Sequence, residues 1–172
     1  MIEKMECEHK KCLELMMSEK ESEEIRRLAI RSIFSIVEGM CYRMKLTAFL
    51  IGRLREMEFT RAEIAMINEE AYFINNGKAE IKPYFPNFID NLRFSFKILS
   101  RVLGVDFSLN VGGSNFREFK EAIKIRNRIT HPKGTKDLII SKDDLSKVTN
   151  AHDWFVANLR KLSKGITDLR IP

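Results

Sequence analysis

The sequence predicts an all-α protein, an antiparallel bundle of four to five helices within one domain of 172 residues. Glycine and proline are scarce, with 8 and 4 residues, which favours helices over sheets. Apolar residues recur at three- and four-residue steps over long stretches, the period of amphipathic helices. Residues 1–17 are expected to form a peripheral helix, and residues 20–165 the core of the bundle, which the chain is long enough to bury.

The first half of the chain begins with two predicted helices. Residues 2–17 have the periodicity of a short amphipathic helix, and residues 18–21 have the form of a capping box that restarts the chain as a helix. A helix of about 30 residues, roughly 45 Å long, follows over residues 25–54. Gly39 lies in its middle, where glycine weakens a helix, so we expect this position to permit a close approach of another backbone.

A second capping box, formed by Thr60 and Glu63, predicts the start of a third helix. We expect this helix to continue to about Ile74 and to end at residues 75–77, Asn-Asn-Gly, since asparagine and glycine adopt the left-handed conformation that ends helices. Residues 76–86 then predict an irregular connection that crosses the bundle.

Two further helices are predicted on either side of a glycine-containing loop. Residues 87–103 carry a stripe of phenylalanine, leucine and isoleucine, and Gly104 is expected to end that helix. Ser114 or Asn115 is expected to cap the next helix, which runs to about Thr130. The loop between the two helices lacks the spacing and the lysine of a phosphate-binding loop.

The last helix is predicted to begin at the capping residues Ser141 and Asp144 and to end near Gly165. Residues 138–140, just before it, are the one place where a β-strand is expected. A strand of that length would be too short to change the all-α class.

Cysteine usage and hydropathy favour a cytoplasmic protein. Three cysteines, an odd number, argue against a disulfide framework and for a reducing compartment. The longest apolar region, residues 28–52, is interrupted by four charged residues, so no membrane span is expected. The N-terminus is charged rather than apolar, which argues against a signal peptide. The segment from Cys7 to Cys12 matches no common zinc pattern, so neither a metal nor another cofactor is expected.

The net charge of +6 is unevenly distributed along the chain. Residues 1–24 carry eight acids and four bases, a balance of −4. Residues 114–136 carry seven bases and two acids, a balance of +5. A basic segment is usually a solvated face, but it also attracts phosphate groups, so this excess favours a phosphate-bearing partner.

Arg126 occupies an unusual position on the helix predicted over residues 114–130. With Phe116 at zero and about 100° per residue, the apolar side chains of this helix spread over roughly 180° to 360°. Arg126 falls near 280° by the same rule, inside the apolar arc. An arginine there needs a carboxylate, a phosphate or a partner chain. Glu38, at the edge of the apolar stripe of the long helix, is the candidate partner, the alternative being that Glu38 is an ordinary flanking acid.

The three histidines differ in their surroundings. His131 follows Arg126 by five residues, where Pro132 forces the chain out of the helix. Both side chains can therefore converge on one groove. The alternative is that His131 is a cation at a helix C-terminus while Arg126 forms a structural salt bridge. His152 shares a stripe with aliphatic residues, which indicates a hydrogen-bonded structural histidine, and His9 has no evident partner.

The motif Arg126-Asn127-x-x-x-His131, at the end of a late helix in a small all-α protein, resembles the signature of the HEPN superfamily. That signature is an arginine, often followed by a polar residue such as asparagine, and a histidine four to six residues beyond it. The resemblance covers the helical layout of residues 20–165, and its specific part is the motif. It implies a four- or five-helix bundle that pairs as a homodimer, with Arg126 and His131 of both chains lining a shared cleft.

In active HEPN proteins that cleft cuts RNA without metal and leaves 2′,3′-cyclic phosphate ends. The resemblance implies that His131 transfers a proton and that Arg126 holds the scissile phosphate, roles that suit an imidazole and a guanidinium. Asn127 would orient either side chain. Neighbouring cations would attract the RNA backbone without reading its sequence, and these are Lys124, Arg128, Lys133 and Lys136.

Three functions therefore follow as expectations. The first is a metal-independent endoribonuclease of the toxin or anti-phage type, which implies an antitoxin. The second is a non-catalytic HEPN-like dimer that binds RNA, a nucleotide or a protein partner, such as the nucleotidyltransferase-like proteins found beside HEPN proteins. The third is a basic nucleic-acid-binding bundle. No aromatic platform for stacking bases is apparent, since Tyr84, Phe85 and Trp154 are predicted to lie in the core or at the bundle edge.

Overall fold

A computed structural model of the protein describes residues 2–18 and 22–167. Within these residues the chain is mostly helical, with six α-helices and a two-stranded β-sheet, which confirms the predicted helical class. The elements are α1 Ile2–Met17, α2 Glu23–Leu54, α3 Arg61–Asn68, β1 Glu70–Asn75, β2 Lys78–Pro83, α4 Phe88–Leu103, α5 Ser114–Thr130 and α6 Lys142–Thr167, with a 3₁₀ turn at Thr135–Leu138 between α5 and α6.

The chain divides into two compact units. The first comprises Met1–Gly39 and Asn110–Lys161, and the second comprises Met40–Leu109 and Leu162–Pro172. Both α2 and α6 contribute residues to each unit. Every contact described below lies within one unit.

Aromatic packing fixes the core of the first unit. Phe34 of α2 packs on Phe119 of α5, with ring centroids 6.3 Å apart. Trp154 of α6 lies 5.4 Å from Phe116 and 4.9 Å from Phe119, in tilted arrangements that aromatic rings favour. These four side chains are buried together with aliphatic residues of the same helices. Three helices of the unit therefore share one aromatic cluster, which holds α5 in a fixed orientation.

The second unit contains a buried lysine. Lys45 has no exposed surface, and its Nζ donates to Glu69 Oε1 at 2.8 Å and to the Met66 carbonyl at 3.3 Å. A buried ammonium is tolerated when a carboxylate and a hydrogen-bond acceptor surround it. Glu69 adopts a left-handed backbone conformation, with φ of 56°, at the end of α3. The ion pair therefore holds the residue at which the chain turns from α3 into β1.

A β-hairpin replaces the predicted second half of the third helix. The helix α3 ends at Asn68 rather than near Ile74, and β1 pairs antiparallel with β2 from Glu70↔Pro83 to Asn75↔Lys78. Asn76 and Gly77 both have positive φ, 48° and 77°, as the central residues of a type I′ hairpin turn do. The prediction of a left-handed turn here is confirmed, but the turn joins two strands and does not end a helix. The irregular connection predicted over residues 76–86 is wrong, because β2 occupies residues 78–83.

Most of the other predicted helix boundaries are confirmed, whereas three further details are wrong. The two capping boxes are present, Thr60 with Glu63 and Ser141 with Asp144. Gly104 ends α4 in the left-handed conformation. However, Gly113 is the N-cap of α5, in place of Ser114 or Asn115. Residues 138–140 do not form a strand: Leu138 ends the 3₁₀ turn, and residues 139–140 are irregular.

Gly39 does not permit a close backbone approach, which is the third error. A Cβ atom added there would meet nothing within 4 Å in the part of the chain that the structure describes. The capping box predicted over residues 18–21 lies outside the described residues, apart from Ser18. Among the helices that are described, none combines the length and the apolar character that crossing a membrane requires.

Candidate active site at the end of helix α5

The packing of α5 determines which of its side chains reach solvent. Five apolar residues of the helix are buried, namely Phe116, Phe119, Ala122, Ile125 and Ile129. Arg126 lies within this apolar arc, as its angular position indicates, but its side chain keeps 24% of its surface exposed. It is therefore a half-buried cation that a solvent-borne anion can reach.

The guanidinium of Arg126 has two internal partners. Its Nη2 donates to Glu38 Oε1 at 2.8 Å, and its Nη1 donates to Asn127 Oδ1 at 3.0 Å. The predicted contact between Glu38 and Arg126 is thus present. A guanidinium carries five N–H donors, so within the described residues these two bonds leave donors for a further acceptor. The side chain is oriented without being saturated.

His131 follows at the point where α5 ends. It is the C-cap, with φ of −126° and ψ of 63°, and its backbone N–H donates to the Asn127 carbonyl at 2.9 Å. The hydroxyl of Thr130 donates to the Arg126 carbonyl at 2.7 Å, which satisfies another group of the last turn. The His131 residue is exposed. The helix end therefore presents its imidazole to solvent, five residues beyond Arg126.

Two arginines of α2 bind the end of α5 and the 3₁₀ turn that follows it. Arg31 Nη2 donates to the carbonyl of Ile129, and Arg27 Nη1 donates to the carbonyl of Leu138 at 2.9 Å. The last carbonyls of a helix lack intrahelical donors, and a cation also interacts favourably with the negative end of the helix dipole. Sequence reasoning missed this role. No side-chain pattern pointed to it, since Arg31 lies outside the apolar stripe of α2 at about 100° per residue.

Arg128 is largely committed to internal contacts. Its Nη2 donates to Asp144 Oδ2 at 2.9 Å, and its Nη1 donates to the carbonyls of Ile139 and Asp137 at 2.9 and 3.2 Å. These bonds attach the segment between α5 and α6 to the end of α5. The guanidinium of Arg128, which was predicted to bind RNA, therefore has a structural role.

The three lysines of the predicted RNA-binding set are exposed. Lys124 Nζ donates to Glu121 Oε1 at 2.8 Å, and this hydrogen bond is the main cause that lowers the pKa of the Glu121 carboxyl. Lys133 uses its backbone N–H to bond Asp137 Oδ2 at 2.7 Å, which leaves its side chain in solvent with that of Lys136. All three ammonium groups can thus approach a polyanion.

The other two histidines and the aromatic residues named from the sequence lie outside α5. His152 has a side chain that is only 10% exposed, and its Nδ1 lies 3.0 Å from Asp153 Oδ1, as expected of a structural histidine. The His9 side chain lies outside the description. Tyr84 and Phe85, predicted to lie in the core or at its edge, are 44% and 80% exposed.

The aromatic residues of the hairpin are exposed as well, with Tyr72 at 64% and Phe73 at 44%. Sequence reasoning found no surface aromatic residues here, because a helix was predicted over this segment. The Asn76-Gly77 pair, a hairpin signal, could have revealed them.

Comparison of the chain with protein-family models, with curated proteins and with solved structures gave no match. In the described part of the chain, no three histidine, cysteine, aspartate or glutamate side chains are grouped so that they could hold a metal ion. What the end of α5 offers is an oriented guanidinium, an amide that contacts it and a solvent-facing imidazole. These groups can bind a phosphate and transfer a proton.

Proposed function

We propose that this protein is a HEPN-like endoribonuclease of the toxin or anti-phage type, which cuts RNA without a metal ion. One observation carries the proposal: Arg126 is oriented by Glu38 and Asn127, yet keeps free donors, and His131 stands exposed at the end of the same helix. These residues match the arginine, asparagine and histidine of the HEPN motif one by one.

In the proposed reaction, the 2′-hydroxyl of the RNA attacks the adjacent phosphorus, and the 5′-oxygen of the next nucleotide leaves. His131 removes the proton of the hydroxyl or supplies a proton to the leaving oxygen, a task for which imidazole is suited near neutral pH. The free N–H groups of Arg126 bind the non-bridging oxygens, where negative charge grows in the transition state. The products are a 2′,3′-cyclic phosphate and a 5′-hydroxyl.

A homodimer is part of this proposal. In the HEPN arrangement the two copies of the motif face one cleft, so one subunit can supply the proton donor while its partner supplies the proton acceptor. The apolar side chains around Arg126 are already buried within the chain, so the homodimer rests on the HEPN resemblance and not on an open apolar arc. The exposed Lys124, Lys133 and Lys136 would attract the strand.

The experiment is RNA cleavage by the purified protein in buffer that contains EDTA. We expect cleavage of single-stranded RNA to cyclic phosphate ends, and no cleavage by the Arg126→Ala and His131→Ala variants. Arg117→Ala removes an exposed arginine from the same helix and serves as the matched control, which should keep its activity. If both site variants cleave as fast as the wild type while circular dichroism finds all proteins folded, the proposal is wrong.

The second candidate is a non-catalytic HEPN-like dimer that binds RNA, a nucleotide or a protein partner, such as an antitoxin or a nucleotidyltransferase-like protein. The ion pair of Arg126 with Glu38 favours it, because a carboxylate already neutralises the cation on which phosphate binding depends. It predicts no cleavage by the folded wild type. It also predicts a partner whose binding weakens when Lys124, Lys133 and Lys136 are changed together to glutamine.

A further inference from the structure

A cavity of about 600 Å³ lies within the first unit, between the loop before α5, the start of α5 and the middle of α6. Its volume is in the range of small-molecule sites. Four asparagines contribute to the wall, which is an unusual concentration of amides, and they are Asn110, Asn115, Asn150 and Asn158. The cavity is distinct from the end of α5 described above, since none of Arg126, Asn127 and His131 lines it.

The aromatic part of the wall is formed by Phe116 and Trp154. Both residues are anchored in the aromatic cluster, with 5% and 7% of their surface exposed. The two rings are 5.4 Å apart and tilted by 46°. A flat, partly apolar ligand can cover the accessible edges of these rings without any rearrangement of the core.

The polar part of the wall offers acceptors of hydrogen bonds. Asn158 is 5% exposed. Among the described residues, its side-chain Nδ2 donates to the Trp154 carbonyl at 2.7 Å. Its Oδ1 is therefore left for a donor from a ligand. Glu118 Oε2 accepts from Asn150 Nδ2 at 2.7 Å, which fixes a carboxylate at the cavity, and Asp153 adds a second one.

The charges of the wall argue against a phosphate inside the cavity. Two carboxylates, of Glu118 and Asp153, oppose the single ammonium of Lys161. This balance favours a neutral ligand whose N–H groups point at the carboxylates, with acceptors that meet the asparagine amides and Lys161. Nucleobases with an exocyclic amino group have this combination of flatness, N–H donors and ring acceptors, whereas uracil lacks the amino group.

We infer that this cavity binds an amino-bearing nucleobase, that is, adenine, cytosine or guanine in preference to uracil. The base can belong to an RNA strand or to a free nucleoside, and the assignment to RNA rests on the proposed function. Asn115 of the cavity and Arg126 are eleven residues apart on α5, so they share one face, about 20° apart and roughly 16 Å along the axis. A strand held by Arg126 can therefore reach the cavity with a nearby base.

The single tryptophan of the chain makes the inference directly measurable. Because Trp154 forms part of the cavity wall, its fluorescence reports occupancy during titration of the whole protein with adenosine, cytidine, guanosine and uridine. We expect saturable changes with the first three nucleosides. Uridine should bind at least about tenfold more weakly, which is the loss that one good hydrogen bond explains. Inorganic phosphate alone should produce no change.

Two variants test the wall. Asp153→Asn changes a side chain that is 68% exposed, so it should leave the fold intact, and we expect it to weaken cytidine binding about tenfold. Glu118→Gln tests the second carboxylate in the same way. Asp143→Asn, an exposed acid on the same helix, is the matched control and should bind as the wild type does. The inference is overturned if no nucleoside changes the fluorescence, if uridine binds equally well, or if both wall variants bind normally.

Two further measurements show whether the base belongs to RNA and whether nucleoside binding is independent of RNA cleavage. Competition of an oligomer of cytidines with cytidine for the cavity would assign the base to RNA, and absence of competition would restrict the site to free nucleosides. The Arg126→Ala variant should bind nucleosides normally, so nucleoside binding would persist even if the protein does not cleave RNA.

Discussion

Arg126 and Glu38 are 88 residues apart in the sequence, and their Nη2 and Oε1 atoms are 2.8 Å apart in the structure. Their side chains are 24% and 41% exposed. Ion pairs with that much access to water contribute little to stability, because solvent screens the attraction and both side chains lose freedom. The pair therefore acts mainly by orienting the guanidinium.

A double-mutant cycle tests this interpretation. Glu38→Ala, Arg126→Ala and the double variant should give a coupling free energy of unfolding of about 0.2–1 kcal/mol, in the range of exposed ion pairs. Urea denaturation followed by circular dichroism measures it. A coupling of several kcal/mol would mean that the pair is a structural anchor. Under the proposed function, Glu38→Ala should also slow RNA cleavage, since the guanidinium loses one of its two orienting partners.

Arg31 is expected to matter for both stability and activity, although it is not part of the HEPN motif. Its Nη2 donates to the carbonyl of Ile129 at the end of α5, and a charge-assisted hydrogen bond of this kind is worth about 1.5–3 kcal/mol. We expect Arg31→Met to lower the free energy of unfolding by about that amount and to reduce cleavage by disordering the turn that carries His131. Denaturation and cleavage assays on the same preparation measure the two effects.

Arg53→Met, which removes an exposed arginine from the same helix, is the control and should change neither quantity. If Arg31→Met is as stable as the wild type, the contact with Ile129 has no energetic importance.

Local signals predicted most of the helical architecture. Capping boxes and apolar periodicity depend on residues close in sequence, so Thr60 with Glu63 and the 32-residue helix α2 could be recognised directly. The same reasoning extended the third helix too far, because residues 70–74 suit a strand as well as a helix. The pair Asn76-Gly77, which suits a two-residue hairpin turn, was the stronger signal.

The site was predictable to the extent that one helix defines it. The angular position of Arg126 in the apolar arc predicted an anionic partner. Glu38, at the edge of the apolar stripe of α2, is that partner. The contacts of Arg31 and Arg128 with backbone carbonyls were not predictable, since no side-chain pattern identifies a carbonyl as the partner. The asparagine-lined cavity was missed for a similar reason: its residues come from two helices and the loop before α5, and they carry no motif.

The two glycines of α2 should respond in opposite ways to alanine. Gly39→Ala should raise the free energy of unfolding by up to about 1 kcal/mol, because alanine is the better helix former and the added Cβ meets nothing within 4 Å in the described chain. At Gly52 the same atom would come within 2.4 Å of Phe59, so Gly52→Ala should be destabilising. Thermal unfolding of both variants measures the contrast, and equal shifts would contradict it.

The capping box of α3 should make stability depend on acid pH through Glu63. Partial burial acts to raise the pKa of this carboxyl, but the hydrogen bond from the Thr60 N–H and the Arg101 guanidinium outweigh it, so the pKa lies below its ordinary value of 4.5. A carboxyl whose pKa is lower in the folded state stabilises the fold above the unfolded value, and this contribution is lost as the pH falls through the folded value.

We therefore expect the wild type to exceed Glu63→Gln in free energy of unfolding by a constant amount above pH 4.5 and by a shrinking amount below it. Urea denaturation of both proteins between neutral and acid pH measures the difference. Glu58→Gln, an exposed acid just before the helix, is the control and should show no such change. A difference that stays constant through the acid range would contradict the prediction, because the charge of Glu63 would then contribute nothing to the cap.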